Sequence, residues 1–225
     1  MYQRDYLMRQ IEQAARAVAA ILKKALGGDP DGALGMFDEA YQPLLGVSSR
    51  VVSTLTDEQL ISLLTSGSSP DLRRVAVALE VVKVEADVHA QRGDGNAAAI
   101  RYRRALRLAG YIAGHSDDLL DQKLAADLVE RAGDLDITAE QRLALARVLE
   151  ALGRYADAED ALFEAIDAET DEAGPIDTGI VFFQRLLARE DGELEAGNLP
   201  RDEVKAGLAE LLRRQVPDEP VWEES

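Results

Sequence analysis

The chain of 225 residues contains no cysteine, which excludes disulfides, thiolate nucleophiles and cysteine–zinc sites. It has only two histidines, His89 and His115, 26 residues apart. Neither lies in an HExxH context or has a second histidine four residues away, so both read as solvated or helix-end side chains and no metal is expected. Aromatic residues make up 5% of the chain, with a single tryptophan, Trp222. Long apolar runs are also missing. The longest uncharged stretch, Gln59 to Pro70, is 12 residues rich in serine and threonine, too short to span a bilayer as a helix. Charges at Arg4, Asp5, Arg9, Glu12 and Arg16 interrupt any apolar signal core near the N-terminus. A cytoplasmic protein without a membrane partner is the expectation.

Positive charge is scarce as well. The formal net charge is −17. Nucleic-acid binding needs a basic footprint against phosphate, so no nucleic-acid partner is expected, and a basic or neutral protein is the easier partner. Lysine is rarer still, 5 against 20 arginines. Excess acid with little lysine fits salt adaptation, where net charge maintains solubility, but arginine-rich codon usage is the simpler reading.

What the chain has in quantity is alanine and helical periodicity. Leu7, Ile11, Ala14, Val18, Ile21, Leu22 and Ala25 recur at helical spacing and end at Gly27-Gly28. A second helix is expected after Asp29-Pro30, carrying Leu34, Phe37 and Tyr41 and stopping near Pro43. Thr56-Asp57-Glu58-Gln59 and Thr138-Ala139-Glu140-Gln141 are capping boxes. Pro70 opens a long helix to Arg92, a helix over Asn96 to Ala113 follows, and Ser116 is expected to cap another running to Ala132. The segment after Gly153 is a further helix. Gly174-Pro175 reads as a break before the apolar stretch Ile180 to Leu187, and Pro200 begins the last helix. About ten helices joined by short loops give an all-α fold of stacked antiparallel hairpins. The expected organisation is one domain over 1–215, with internal breaks giving 1–66, 69–173 and 174–215, and an extended acidic tail over 216–225.

Two hairpins superimpose with a 60-residue shift: Ala86 on Ala146, Gly93 on Gly153, Ala98 on Ala158, Tyr102 on Leu162 and Ala105 on Ala165. Small residues on either side of a glycine turn put alanine against alanine where two helices cross, and the bulky residue fills the gap to the next element. A weaker third copy is Gly28, Ala33, Phe37 and Ala40. This pattern resembles the tetratricopeptide repeat, although copies here lie 60 to 65 residues apart, against a repeat of about 34, with inserted helices between them. The closing proline and signature tryptophan are absent; Val82 and Arg142 occupy the latter position. The resemblance implies a groove on the first helix of each hairpin, facing a peptide or partner helix through Val82, His89, Leu143 and Arg147.

A second resemblance rests on Arg4-Asp5-Tyr6-Leu7-Met8-Arg9-Gln10-Ile11-Glu12-Gln13 and the Ala-Leu…Phe-Asp-Glu-Ala-Tyr…Leu-Leu-Gly segment at 33–46. These look like an uncharacterised bacterial family with tetratricopeptide-like hairpins, over roughly residues 1–110. The resemblance implies a helical fold and no activity.

Catalytic motifs are lacking. No GxSxG offers a serine elbow. Gly27-Gly28-Asp29-Pro30-Asp31-Gly32-Ala33-Leu34-Gly35 has no following Lys-Ser/Thr pair and carries two aspartates that repel phosphate. Asp29-Pro30-Asp31-Gly32 places its glycine two positions early for a calcium loop, and Ala139 and Leu145 replace required residues after Asp134. The expectation is a non-catalytic interaction or scaffold module without cofactors. The alternatives are a self-associating homodimer using the N-terminal helix and Ile180 to Leu187, and an enzyme with an acidic site. Trp222, among Glu219, Pro220, Glu223 and Glu224, is a further candidate for docking into a groove.

Overall fold

The computed structural model describes residues 2–66, 72–168 and 173–215. All regular structure among them is helical. The expected acidic tail, Trp222, and Pro70 as a helix start lie outside the described residues. The contacts divide the chain into two compact units, Met1–Ile137 and Thr138–Ser225.

The first unit is built from α1 (Tyr2–Leu26), α2 (Pro30–Leu34), α3 (Phe37–Leu45), α4 (Ser49–Val52), α5 (Asp57–Thr65), α6 (Leu72–Gln91), α7 (Gly95–Ala113), a 3₁₀ turn (Asp117–Leu119) and α8 (Gln122–Ala132). Helix α6 is its centre. Val75, Ala78, Leu79, Val81, Val82, Val84, Ala86 and Val88 are all buried, so the helix is apolar around most of its circumference. It packs against α7 on one side and against α1, α2, α3 and α5 on others.

The second unit contains α9 (Ala139–Ala151), α10 (Tyr155–Ala168), α11 (Ala173–Leu187), α12 (Asp191–Ala196) and α13 (Arg201–Gln215). Helices α9 and α10 form one hairpin, and α11 packs on α13. Two glycines set how closely these helices approach. A Cβ at Gly179 would lie 2.4 Å from Leu211 Cδ1 and 3.1 Å from Leu162 Cδ2. One at Gly207 would lie 2.3 Å from Phe183 Cζ.

Three helix–glycine–helix turns share one hydrogen-bond scheme. After α1, α6 and α9 the backbone N–H of Asp29, Asp94 and Arg154 donates to the carbonyl five residues earlier, on Lys24, His89 and Leu149. The intervening Gly28, Gly93 and Gly153 have φ of +88°, +85° and +71°. This is a Schellman closure, and the left-handed residue it needs strains any side chain beyond glycine. Asp29 and Asp94 then cap the next helix, accepting from Gly32 N and Ala97 N. Arg154 cannot do so, and its Nε instead donates to Asp157 at 2.6 Å.

The hairpin residues of the repeat are all buried: Ala86, Ala98, Tyr102 and Ala105 on α6 and α7, and Ala146, Ala158, Leu162 and Ala165 on α9 and α10. Tyr102 reaches beyond its hairpin. Its hydroxyl donates to Asp87 at 2.7 Å, and the Arg131 guanidinium of α8 lies 5.2 Å over its ring.

Several expected boundaries differ. The segment after Pro30 is two helices, with a break at Gly35-Met36, and α3 continues through Pro43 to Leu45. Burial of Leu44 and Leu45 holds that last turn despite the missing N–H of proline. Ser116 does not cap a helix to Ala132. Leu120 is drawn inward at 4% exposure, which interrupts the run, and Asp121 caps α8 by accepting from Leu124 N at 2.7 Å. Gly174-Pro175 is not a break but the first turn of α11, where a proline has no N–H to waste. The short helices α4 and α12 have too little periodicity to be seen in sequence. Both capping boxes form as expected, at Thr56 with Gln59 and at Thr138 with Gln141.

Candidate functional site

Helix α6 buries two polar residues among its core-facing valines and alanines. Glu85 and His89 are 8% and 9% exposed. A carboxylate so placed must be fully hydrogen-bonded to be tolerated. Glu85 meets this with one partner on each oxygen: Tyr41 of α3 donates its hydroxyl to Oε2 at 2.6 Å, and Arg101 of α7 donates Nε to Oε1 at 2.7 Å. Burial, followed by the adjacent Glu85 charge, pushes the Tyr41 hydroxyl well above the ordinary tyrosine range, so it stays a donor.

Beside this chain of bonds lies a cleft of about 240 Å³. Tyr41, Val82 and Glu85 line it from α3 and α6, Val52 and Ser53 from α4 and its end, and Ile100, Arg101 and Arg104 from α7. Arg104 holds the wall through all three of its nitrogens. Its Nε donates to Asp57 Oδ1 at 2.9 Å, and its terminal nitrogens donate to the carbonyls of Val52 (2.8 Å) and Leu55 (2.5 Å). Arg101 uses only two of its own. Beyond Glu85 it donates only Nη1 to Ala97 O, at 3.2 Å, which leaves three of its five N–H bonds without a partner among the described residues. Ile100 is 52% exposed, unusual for an isoleucine on a packed hairpin.

In the first unit the expected groove residues present no open surface. Val82, at 1% exposure, forms part of the cleft but no open surface, and His89 is buried near the glycine turn. The face of α6 that carries them is covered by the chain's own N-terminal helices: Tyr41 reaches Glu85, and Gln91 Nε2 donates to Ala25 O of α1 at 3.0 Å. His89 Nδ1 lies 3.7 Å from Asp94 and makes no hydrogen bond among the described residues. Burial first, then the nearby Arg101 charge, holds its pKa below the ordinary 6.5 against the pull of Glu85 and Asp94. Leu143 and Arg147 of α9 belong to the other unit and are half-buried. The apolar stretch Ile180 to Leu187 fills the core of its own unit through Ile180, Phe182, Phe183 and Leu186, leaving Val181 exposed.

One carboxyl in the second unit is displaced from its usual range. Glu159 of α10 faces Gly207 of α13, and a Cβ there would lie 3.0 Å from its Oε1. Burial, then Asp160 and Glu203, raises its pKa from 4.5 to about 7. The charges that shift it are both carboxylates. Among the described residues no three histidine, cysteine, aspartate or glutamate side chains could hold a metal ion, and no helix is long and apolar enough to cross a membrane.

The cleft was missed in sequence because Tyr41, Glu85 and Arg101 are separated by 44 and 16 residues. The available signal was Glu85 itself, an acid on an apolar helix face. No curated protein and no solved structure matches the chain. A family model does match it, over residues 1–216, nearly the full length of both helical units. The chain therefore belongs to DUF6483, a family of unknown function.

Proposed function

We propose that this chain is a non-catalytic interaction module that holds a protein or peptide partner on a rigid helical scaffold. The tetratricopeptide resemblance of the α6–α7 and α9–α10 hairpins supports this reading, since such hairpins act by presenting a fixed surface. The observation that carries it is Ile100. A half-exposed isoleucine at the rim of a cleft, on a hairpin otherwise sealed by alanine, is the kind of anchor point a partner covers. The resemblance assigns binding to the first helix of each hairpin, but in the first unit that helix is covered by α1–α3. The partner surface is therefore on α7 there, and on α9 around Leu143 and Arg147 in the second unit. A net charge of −17 favours a basic or neutral partner, and the reading places the protein in the cytoplasm.

Site-specific photocrosslinking in the native host tests it. A crosslinker at Ile100 or Leu143 should trap one defined protein, and a crosslinker at exposed Glu130 should not. Absence of a specific adduct from both positions would sink the reading.

A further inference from the structure

We infer that the cleft between α3–α4 and α6–α7 takes a carboxylate on a short aliphatic group, supplied by the C-terminal residue of a partner chain; this rests on the interaction reading above. The choice of charge follows from the hydrogen bonds. Each oxygen of Glu85 accepts from one donor, Tyr41 or Arg101, and Asp57 Oδ1 accepts from Arg104, so both carboxylates are already charge-paired. An ammonium group entering the cleft would have to compete with the arginine already paired to each carboxylate, Arg101 on Glu85 and Arg104 on Asp57. Arg101 retains three N–H bonds without a partner among the described residues, one on Nη1 and two on Nη2, which can donate to a carboxylate. Its position is fixed from below by Glu85, which is itself fixed by Tyr41, so little side-chain entropy is lost on binding.

Size and lining set the rest. At about 240 Å³ the space is below the range of drug-sized ligand sites and suits one amino-acid residue. Val82 forms an apolar floor at 1% exposure, and Ile100 borders the opening at 52% exposure, so the charged group sits beside aliphatic walls. A terminal leucine or valine presents both parts at once, a carboxylate and a branched side chain on one carbon.

Titration calorimetry on the full chain tests this with three probes: a lysine-containing peptide of about six residues ending in leucine, its C-terminal amide, and N-acetyl-leucine. The expected result is that the free-acid peptide binds and the amide binds at least about tenfold more weakly, because a charge-assisted pair is lost. Ile100→Glu, an exposed rim change that leaves the fold intact, should abolish binding. Arg101→Gln should reduce it by at least about tenfold, with unchanged circular dichroism. Equal affinity for acid and amide overturns the inference, as does absence of binding by all three probes. Binding of N-acetyl-leucine without the peptide overturns the partner chain as the source. If the peptides fail while Leu143 still crosslinks a partner, the cleft assignment falls and the interaction reading stands.

Discussion

Single buried polar groups decide much of the behaviour of each unit. Tyr41→Phe would keep the ring and strip one oxygen of Glu85 of its donor, at 8% exposure. It should cost roughly 1–3 kcal/mol, the penalty of a buried unsatisfied acceptor, measured by urea denaturation. Glu159 and His89 titrate with opposite signs. The folded-state pKa of Glu159, about 7, lies above its ordinary 4.5, so the folded protein binds more protons than the unfolded chain between these values. Its contribution is full below pH 4.5 and is lost as pH rises through 7, on the order of 1 kcal/mol after screening of a half-buried group. His89 is held below its ordinary 6.5, so its contribution is present above that value and lost as pH falls below it. Melting temperatures measured from pH 4 to 8 should show Glu159→Gln stabilising at pH 8 and neutral at pH 4. His89→Gln should weaken the acid-side loss instead. A Glu159→Gln curve parallel to that of the parent would refute the first assignment. None of this was legible in sequence, because each shift depends on residues brought together across helices.

At the scale of elements, local chemistry was readable and packing was not. Thr56 and Thr138 declared two helix starts through their capping boxes, and Gly28, Gly93 and Gly153 declared three turns. These signals lie within a few residues of the features they create. By contrast, α3 runs through Pro43 because Leu44 and Leu45 are buried, and the break at Leu120 has the same cause. Burial is set by distant partners, so a local pattern cannot report it. Two glycines two residues apart separate the requirements cleanly. Gly93 has φ of +85°, whereas Gly95 sits in the first turn of α7 with open space around its Cβ position. Gly93→Ala should destabilise by about 1 kcal/mol and Gly95→Ala should stabilise by about 0.4–1 kcal/mol. Gly207→Ala should cost about 1–3 kcal/mol, since its methyl would meet the Phe183 ring. Denaturant midpoints of the three variants check the order.

Over the whole molecule, acidity is unevenly shared. Residues 1–137 carry 16 lysines and arginines against 20 aspartates and glutamates, whereas residues 138–225 carry 9 against 22. Self-repulsion therefore weighs on the second unit, and salt relieves it. Raising KCl from about 0.05 to 0.5 M, which shortens the screening length well below 10 Å, should slow amide hydrogen exchange in α10 and α13 more than in α6 and α7. Equal protection in both units would count against charge as the cause. The all-α class was legible from alanine content and helical periodicity. The covering of α6 was not, because Val82 and His89 look alike in sequence whether a partner or the chain itself faces them.

That covering has a consequence for synthesis. The α6–α7 pair is contiguous in sequence, and its contacts need only a short turn to close. Helices α1 and α3 reach α6 only across several tens of residues, as in the bonds from Tyr41 to Glu85 and from Gln91 to Ala25. Local contacts form fastest, and distant ones must first overcome chain-closure entropy. Helices α1 and α3 thus leave the ribosome before α6 and can pack at first on each other, so the faces that meet α6 stay uncovered until α6 has been made.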